Sequence, residues 1–130
     1  MNKISKSLFS IFAIYKYSTK KMLVSIFNSE TIKQLNAKEF LSKLDSETDF
    51  IYIDLRTPIE FKISHHPKAI NINYLWNFEY LISKLDNTKT IFLNCESAHR
   101  SPYAVYQLKK LGFKKIYDLK GGFMKIRGKL

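Results

Sequence analysis

Thr90-Ile91-Phe92-Leu93-Asn94-Cys95-Glu96-Ser97-Ala98-His99-Arg100-Ser101 is the stretch on which the reading of the fold turns. Thr90–Asn94 is short, apolar and β-branched, as a strand buried on both faces should be. From Arg100 onward the spacing changes. Ala104, Val105, Leu108 and Leu111 fall on one face of a helix, and Gly112 is its natural stop. The sole cysteine of the chain lies between strand and helix. A helix N-terminus presents unpaired N–H groups and the positive end of the helix dipole, which lower a thiol pKa and favour a thiolate nucleophile. The amides of Glu96 to Arg100 are able to curl around the sulfur as an anion nest, closed by the permanently charged guanidinium of Arg100. A free cysteine is equally a small, inert hydrophobe, so position alone leaves both readings open.

Outward from this stretch, helices and strands alternate. Asn36–Leu44 reads as a helix with Asn36 at the N-cap and Ala37, Phe40, Leu41 and Leu44 at helical spacing. Phe50–Leu55 is a buried strand, and Thr57-Pro58 starts a helical turn through Phe61. Ala69–Ile72 is a strand, Trp76–Leu85 a helix, and Ile116–Leu119 a last strand before Gly121-Gly122 and a short helix. This order specifies an α/β domain with a mostly parallel sheet. Sites in such sheets lie at the C-terminal ends of the strands, where the loops Asp54–Thr57 and Cys95–Ser101 carry chemistry.

Length and composition set the outer bounds. A chain of 130 residues, 45% hydrophobic and 25% charged, suits one globular domain. It has no apolar run of about 18 residues, so no transmembrane segment is expected. One cysteine makes neither an intramolecular disulfide nor a cysteine zinc site. The net charge is +11, and only Arg56, Arg100 and Arg127 of the 22 basic residues are arginines. The Lys, Ile and Asn bias is compositional, so no nucleic-acid partner is read from the charge. It does favour anions in general.

Residues 1–28 read as a basic, apolar extension. They hold Lys3, Lys6, Lys16, Lys20 and Lys21 and no acid. A loosely held extension, a true start at Met22, a secretory signal, a mitochondrial transit peptide and a membrane-surface helix all remain open. The default address is the cytoplasm. Residues 29–130 form the domain, without repeat or linker.

Three blocks in order carry a family resemblance. Asp54-Leu55-Arg56 with Glu60-Phe61 resembles D-x-R-x-x-x-E-[FY]. His65-His66-Pro67-Lys68-Ala69-Ile70-Asn71-Ile72 resembles H-I-P-G-A-x-N-I, and Cys95–Ser101 resembles C-x-x-G-x-R-S. Leu111-Gly112-Phe113 and Gly121-Gly122-Phe123 follow. Residues 32–126 thereby resemble a rhodanese-type sulfurtransferase domain. The resemblance implies a three-layer α/β fold whose central, mostly parallel, five-stranded sheet is flanked by helices. It implies that Cys95 is the catalytic nucleophile, and that Glu96, Ser97, Ala98, His99 and Arg100 form the substrate-binding loop. Cys95 would take sulfur from thiosulfate or a persulfide donor protein and pass it, as a persulfide, to a thiol or to cyanide. No cofactor and no metal are implied. Four residues separate Cys95 from Arg100. The related phosphatases of this fold have one more, because a tetrahedral phosphate needs a wider cradle than sulfur.

Departures from the pattern leave specific questions. Ala98 stands where the family has Gly, which costs about 1 kcal/mol if that position needs positive φ. Glu96 raises the thiol pKa and repels thiosulfate if it faces the sulfur, and does neither if it faces solvent. His99 is read as a solvent-facing residue before a proton carrier. Asp54, Arg56 and His65 are read as structural support, and the adjacent pair His65-His66 points apart in an extended chain, against a metal site. Besides the enzyme, two readings stay open: a non-catalytic binding module of the same fold, and a phosphatase or arsenate reductase using the same loop.

Overall fold

The computed structural model describes residues 26, 27, 29–97 and 100–130. Most of the 1–28 extension, together with Ala98 and His99, lies outside the described residues. Five strands, β1 (Ile32–Leu35), β2 (Phe50–Asp54), β3 (Ala69–Asn71), β4 (Thr90–Asn94) and β5 (Ile116–Leu119), form one sheet in the order β1-β5-β4-β2-β3. Every pairing is parallel. The helices are α1 (Ala37–Ser46), α2 (Pro58–Ile63), α3 (Phe78–Ser83) and α4 (Ser101–Lys110), followed by two 3-10 turns at Phe123–Lys125 and Arg127–Lys129. The expected α/β architecture with five strands and flanking helices is the one observed, with an all-parallel sheet.

Strand periodicity divides the core into two faces. Ile53, Leu55, Ile91, Leu93, Cys95 and Ile116 pack with Phe78 and Ile82 of α3 and Ala104, Val105 and Leu108 of α4. Tyr52, Phe92, Tyr117 and Leu119 pack on the other face with Phe40 and Leu44 of α1 and with Phe123 and Ile126. β4 is the middle strand and all five of its residues are buried, so the loop after it starts from the most constrained backbone in the sheet. Ile26 is buried and joins the first cluster, with Phe27 packed against it.

Two elements differ from the sequence expectation. β1 was not expected: Ile32-Lys33-Gln34-Leu35 is a four-residue edge strand whose middle is polar, so its alternation is too short to register. The expected helix Trp76–Leu85 is shorter, Phe78–Ser83, because Asn77 takes a left-handed φ of 53° and Trp76 stays half-exposed. Among the described residues no helix is long and apolar enough to cross a membrane.

The Phe40 ring meets Tyr52 and Phe92 edge-on, each at 5.4 Å between centroids, and is fully buried. Phe40→Ala is expected to destabilise the domain by about 3–5 kcal/mol in urea unfolding, as an aromatic lost from a packed core does.

Candidate functional site

Cys95 follows β4 directly and is fully buried. Its sulfur accepts a hydrogen bond from the Ser101 hydroxyl at 3.2 Å, and the backbone N–H groups of Arg100 and Ser101 also point to it. Arg100 is the N-cap and Ser101 the first residue of α4, so a helix N-terminus after a parallel strand provides these donors. They favour the anion. Burial acts the other way and is the larger effect, and the negative charge of Asp118 adds to it, so the Cys95 thiol is pushed up from its ordinary value. The expected helix-terminus lowering is therefore present but outweighed.

The loop is stitched to the chain's C-terminal turn. Phe123 N–H donates to the Cys95 carbonyl at 2.7 Å and Met124 N–H to the Glu96 carbonyl at 3.3 Å. Such close approach requires glycine at 122. Its φ is +77°, and a Cβ there would lie 2.3 Å from the Glu96 oxygen.

Asp54 and Arg56 meet at the end of β2. Arg56 Nε and Nη2 donate to both Asp54 carboxylate oxygens, at 3.0 to 3.2 Å and 2.8 Å, and Asp54 Oδ1 also accepts from the Arg56 N–H at 3.0 Å. Arg56 Nη2 further donates to the Ser64 carbonyl at 2.6 Å, and its guanidinium lies 3.7 Å from the Phe123 ring centroid. Its Nη1 is 3.5 Å from the Glu96 carboxylate, which Arg127 holds from the exposed side. Glu96 thus sits between two guanidinium groups, a third arrangement beside facing the sulfur and facing free solvent. Ser97 is exposed. Arg100 is partly buried, with its guanidinium 4.9 Å from the ring centroid of the buried Tyr74.

His65 stands apart from this group. It is exposed, stacks on Phe61 at 3.8 Å and shares a 2.6 Å hydrogen bond with the Phe61 carbonyl. Its neighbour His66 is the buried one, packed 5.4 Å from Tyr52 and accepting from the Lys68 N–H at 3.1 Å. Sequence reasoning missed Tyr74, Asp118 and Arg127. Arg127 carried a signal, for all three arginines of this lysine-rich chain fall at this site.

A family model for the rhodanese-like domain matches residues 36–129. The chain belongs to the rhodanese-like domain family. Among relatives, the tRNA uridine(34) hydroxylase of Pelagibacter ubique is 31% identical over 128 residues, covering 93% of this chain and 42% of its own length. The putative sulfur carrier protein YrkF of Bacillus subtilis is 29% identical over 102 residues, covering 78% of this chain and 55% of its own. This rhodanese-like domain therefore spans about half the length of these two curated relatives. A crystal structure of a rhodanese-like domain protein from Staphylococcus aureus superposes with a TM-score of 0.64 at 20% identity, over 72% of this chain and 90% of its own, a likeness of fold.

Gly122→Ala is expected to cost about 2–4 kcal/mol in urea unfolding, from the Gly-only backbone conformation and the collision with the Glu96 backbone. Gly128→Ala, with nothing within 4 Å, should stay within about 0.5 kcal/mol of the parent.

Proposed function

We propose that this domain moves sulfane sulfur through a persulfide on Cys95, with thiosulfate or a persulfide donor protein as source and a thiol or cyanide as acceptor. The observation that carries the reading is the surroundings of the Cys95 sulfur: a sole, buried cysteine at the end of the central strand, with one hydroxyl and two N–H groups directed at it. Those donors suit a sulfur that must carry negative charge, first as a thiolate and then on the terminal sulfur of a persulfide. The thiolate attacks the outer sulfur of the donor, a new S–S bond forms, and the donor's own bond to that sulfur breaks with its electron pair on the leaving group. For thiosulfate the leaving group is sulfite. A second thiol or cyanide then takes the outer sulfur and returns Cys95 to the thiolate.

Arg100, at the far end of the loop, attracts and orients the anionic donor. Its planar fork rests on Tyr74, which limits the side-chain freedom lost on binding. Glu96 does not cancel this attraction, because Arg56 and Arg127 compensate its charge. A relative described as a putative sulfur carrier supports the sulfur chemistry. Four residues between Cys95 and Arg100 support sulfur over phosphate as the group held.

Steady-state assays with thiosulfate and cyanide test this reading. Cys95→Ser, nearly isosteric, should fall to the uncatalysed background while keeping the parent unfolding curve. Arg100→Ala should lower kcat/KM by about ten- to a hundredfold, as a lost charge-assisted contact does, and Arg100→Lys by less. Sulfur transfer by Cys95→Ser at the parent rate would overturn the proposal.

A further inference from the structure

Asp118 is a fully buried carboxyl that the reaction just described does not use. It belongs to β5 and pairs in register with Leu93 of β4, two residues before Cys95. Alternation along β5 turns it to the face of Ile116, which is also the face of Cys95. Gln34 Nε2 donates to Oδ2 at 2.9 Å, and the Leu119 N–H and the Ser101 hydroxyl also act on the carboxyl. Oδ1 closes no hydrogen bond of ordinary geometry among the described residues. Ser101 is buried as well, and its hydroxyl is the one that reaches the Cys95 sulfur at 3.2 Å. The hydroxyl that donates to the sulfur thus also acts on the Asp118 carboxyl.

Among the described residues, the other groups near the pair supply no counter-charge to Asp118. Gln34 from β1 is neutral. Tyr52 from β2 is held neutral by burial, and its hydroxyl lies 2.6 Å from Asn94 Oδ1. Tyr74 and Arg100 act on the sulfur side, where Arg100 is the cation. Two anions side by side in such a place would each be desolvated and would repel one another.

We propose that Cys95 and Asp118 share a single negative charge through the Ser101 hydroxyl, so that Asp118 takes up the proton that Cys95 gives up when its sulfur becomes an anion. This extends the persulfide reading and, for the transfer step, rests on it. The S–H bond breaks with its electron pair on sulfur, the proton joins Ser101 Oγ, and the hydroxyl proton of Ser101 passes to the Asp118 carboxylate. No electron leaves the pair and no oxidant is needed. The two contacts serve both states. In the thiol state Ser101 donates to the carboxylate, and in the anion state it donates to sulfur while the carboxylic acid donates to Ser101. When the sulfur becomes a persulfide anion the charge stays on sulfur and the proton on Asp118. Burial, partly offset by Gln34, Ser101 and Leu119, pushes Asp118 up to about 7, so that it holds or releases a proton near neutrality. Asp118 acts through Ser101 and is a positioning residue.

Two readouts test this. The first is the ultraviolet absorbance of the thiolate, a single-site signal because Cys95 is the sole cysteine. In Asp118→Asn the sulfur ionises without a neighbouring carboxylate. About tenfold more thiolate than in the parent is expected at a given pH between neutrality and the onset of tyrosine titration. Ser101→Ala keeps both acids, removes the bridge and should shift the thiolate to higher pH; it carries the test if the Asp118 variant does not fold. An unmoved titration in either folded variant, or less thiolate in Asp118→Asn, overturns the proposal. The second readout is the proton count on persulfide formation from thiosulfate, corrected for sulfite. The parent should retain the proton, and Asp118→Asn should release about one more. Equal release, with the persulfide seen by mass in both, overturns the shared charge. Absence of the persulfide in both overturns the sulfur-transfer reading instead, and the titration then decides this one.

Discussion

Arg56 is a guanidinium with 1% of its surface exposed, and the candidate site is assembled around it. Burying that charge costs several kcal/mol unless its donors are occupied. Asp54 takes up the charge in bidentate fashion, the Ser64 carbonyl takes a further donor, and Glu96 lies against the remaining end. The Phe123 ring covers the plane. Satisfying one arginine thus brings together the end of β2, the end of α2, the residue after Cys95 and the C-terminal turn. The position of the Cys95 loop follows from this and from the backbone bonds to Phe123 and Met124. Lysine could not do the same, since a single ammonium lacks the fork that serves several acceptors in one plane.

Around the sulfur, opposing effects meet, and burial is the largest of them. The start of α4 and the Ser101 hydroxyl favour the anion, while burial and Asp118 oppose it. A cysteine held this way favours the thiol over the anion. Glu96 would have tipped it further against the anion. Its two arginine partners keep its charge engaged elsewhere.

Much of this was legible in the sequence, for identifiable reasons. The runs at Phe50–Asp54 and Thr90–Asn94 announce buried strands because strands covered on both faces must be apolar throughout. Cys95 and Arg100 stand out because the segment between strand and helix is short and the residue types are rare in this chain. β1 escaped because its polar centre sits at a sheet edge. The late start of α3 depends on one left-handed residue, Asn77, which propensity does not flag. Asp118 within Ile-Tyr-Asp-Leu looks like an ordinary solvent-facing position of a strand; only the neighbouring α4 makes that face interior. The partners of Glu96 come from residues 40 and 31 positions away, a pairing beyond any local pattern. His65 and His66 are adjacent, and tertiary packing alone decides that His66 is the buried one.

The central claim is that Cys95 carries transferable sulfur. Mass spectrometry of the intact chain after incubation with thiosulfate and removal of excess reagent tests it most directly. The account predicts one added sulfur atom, localised to Cys95 by fragmentation and removed by cyanide. A folded chain whose Cys95 stays unmodified with thiosulfate and with a persulfide donor would contradict it.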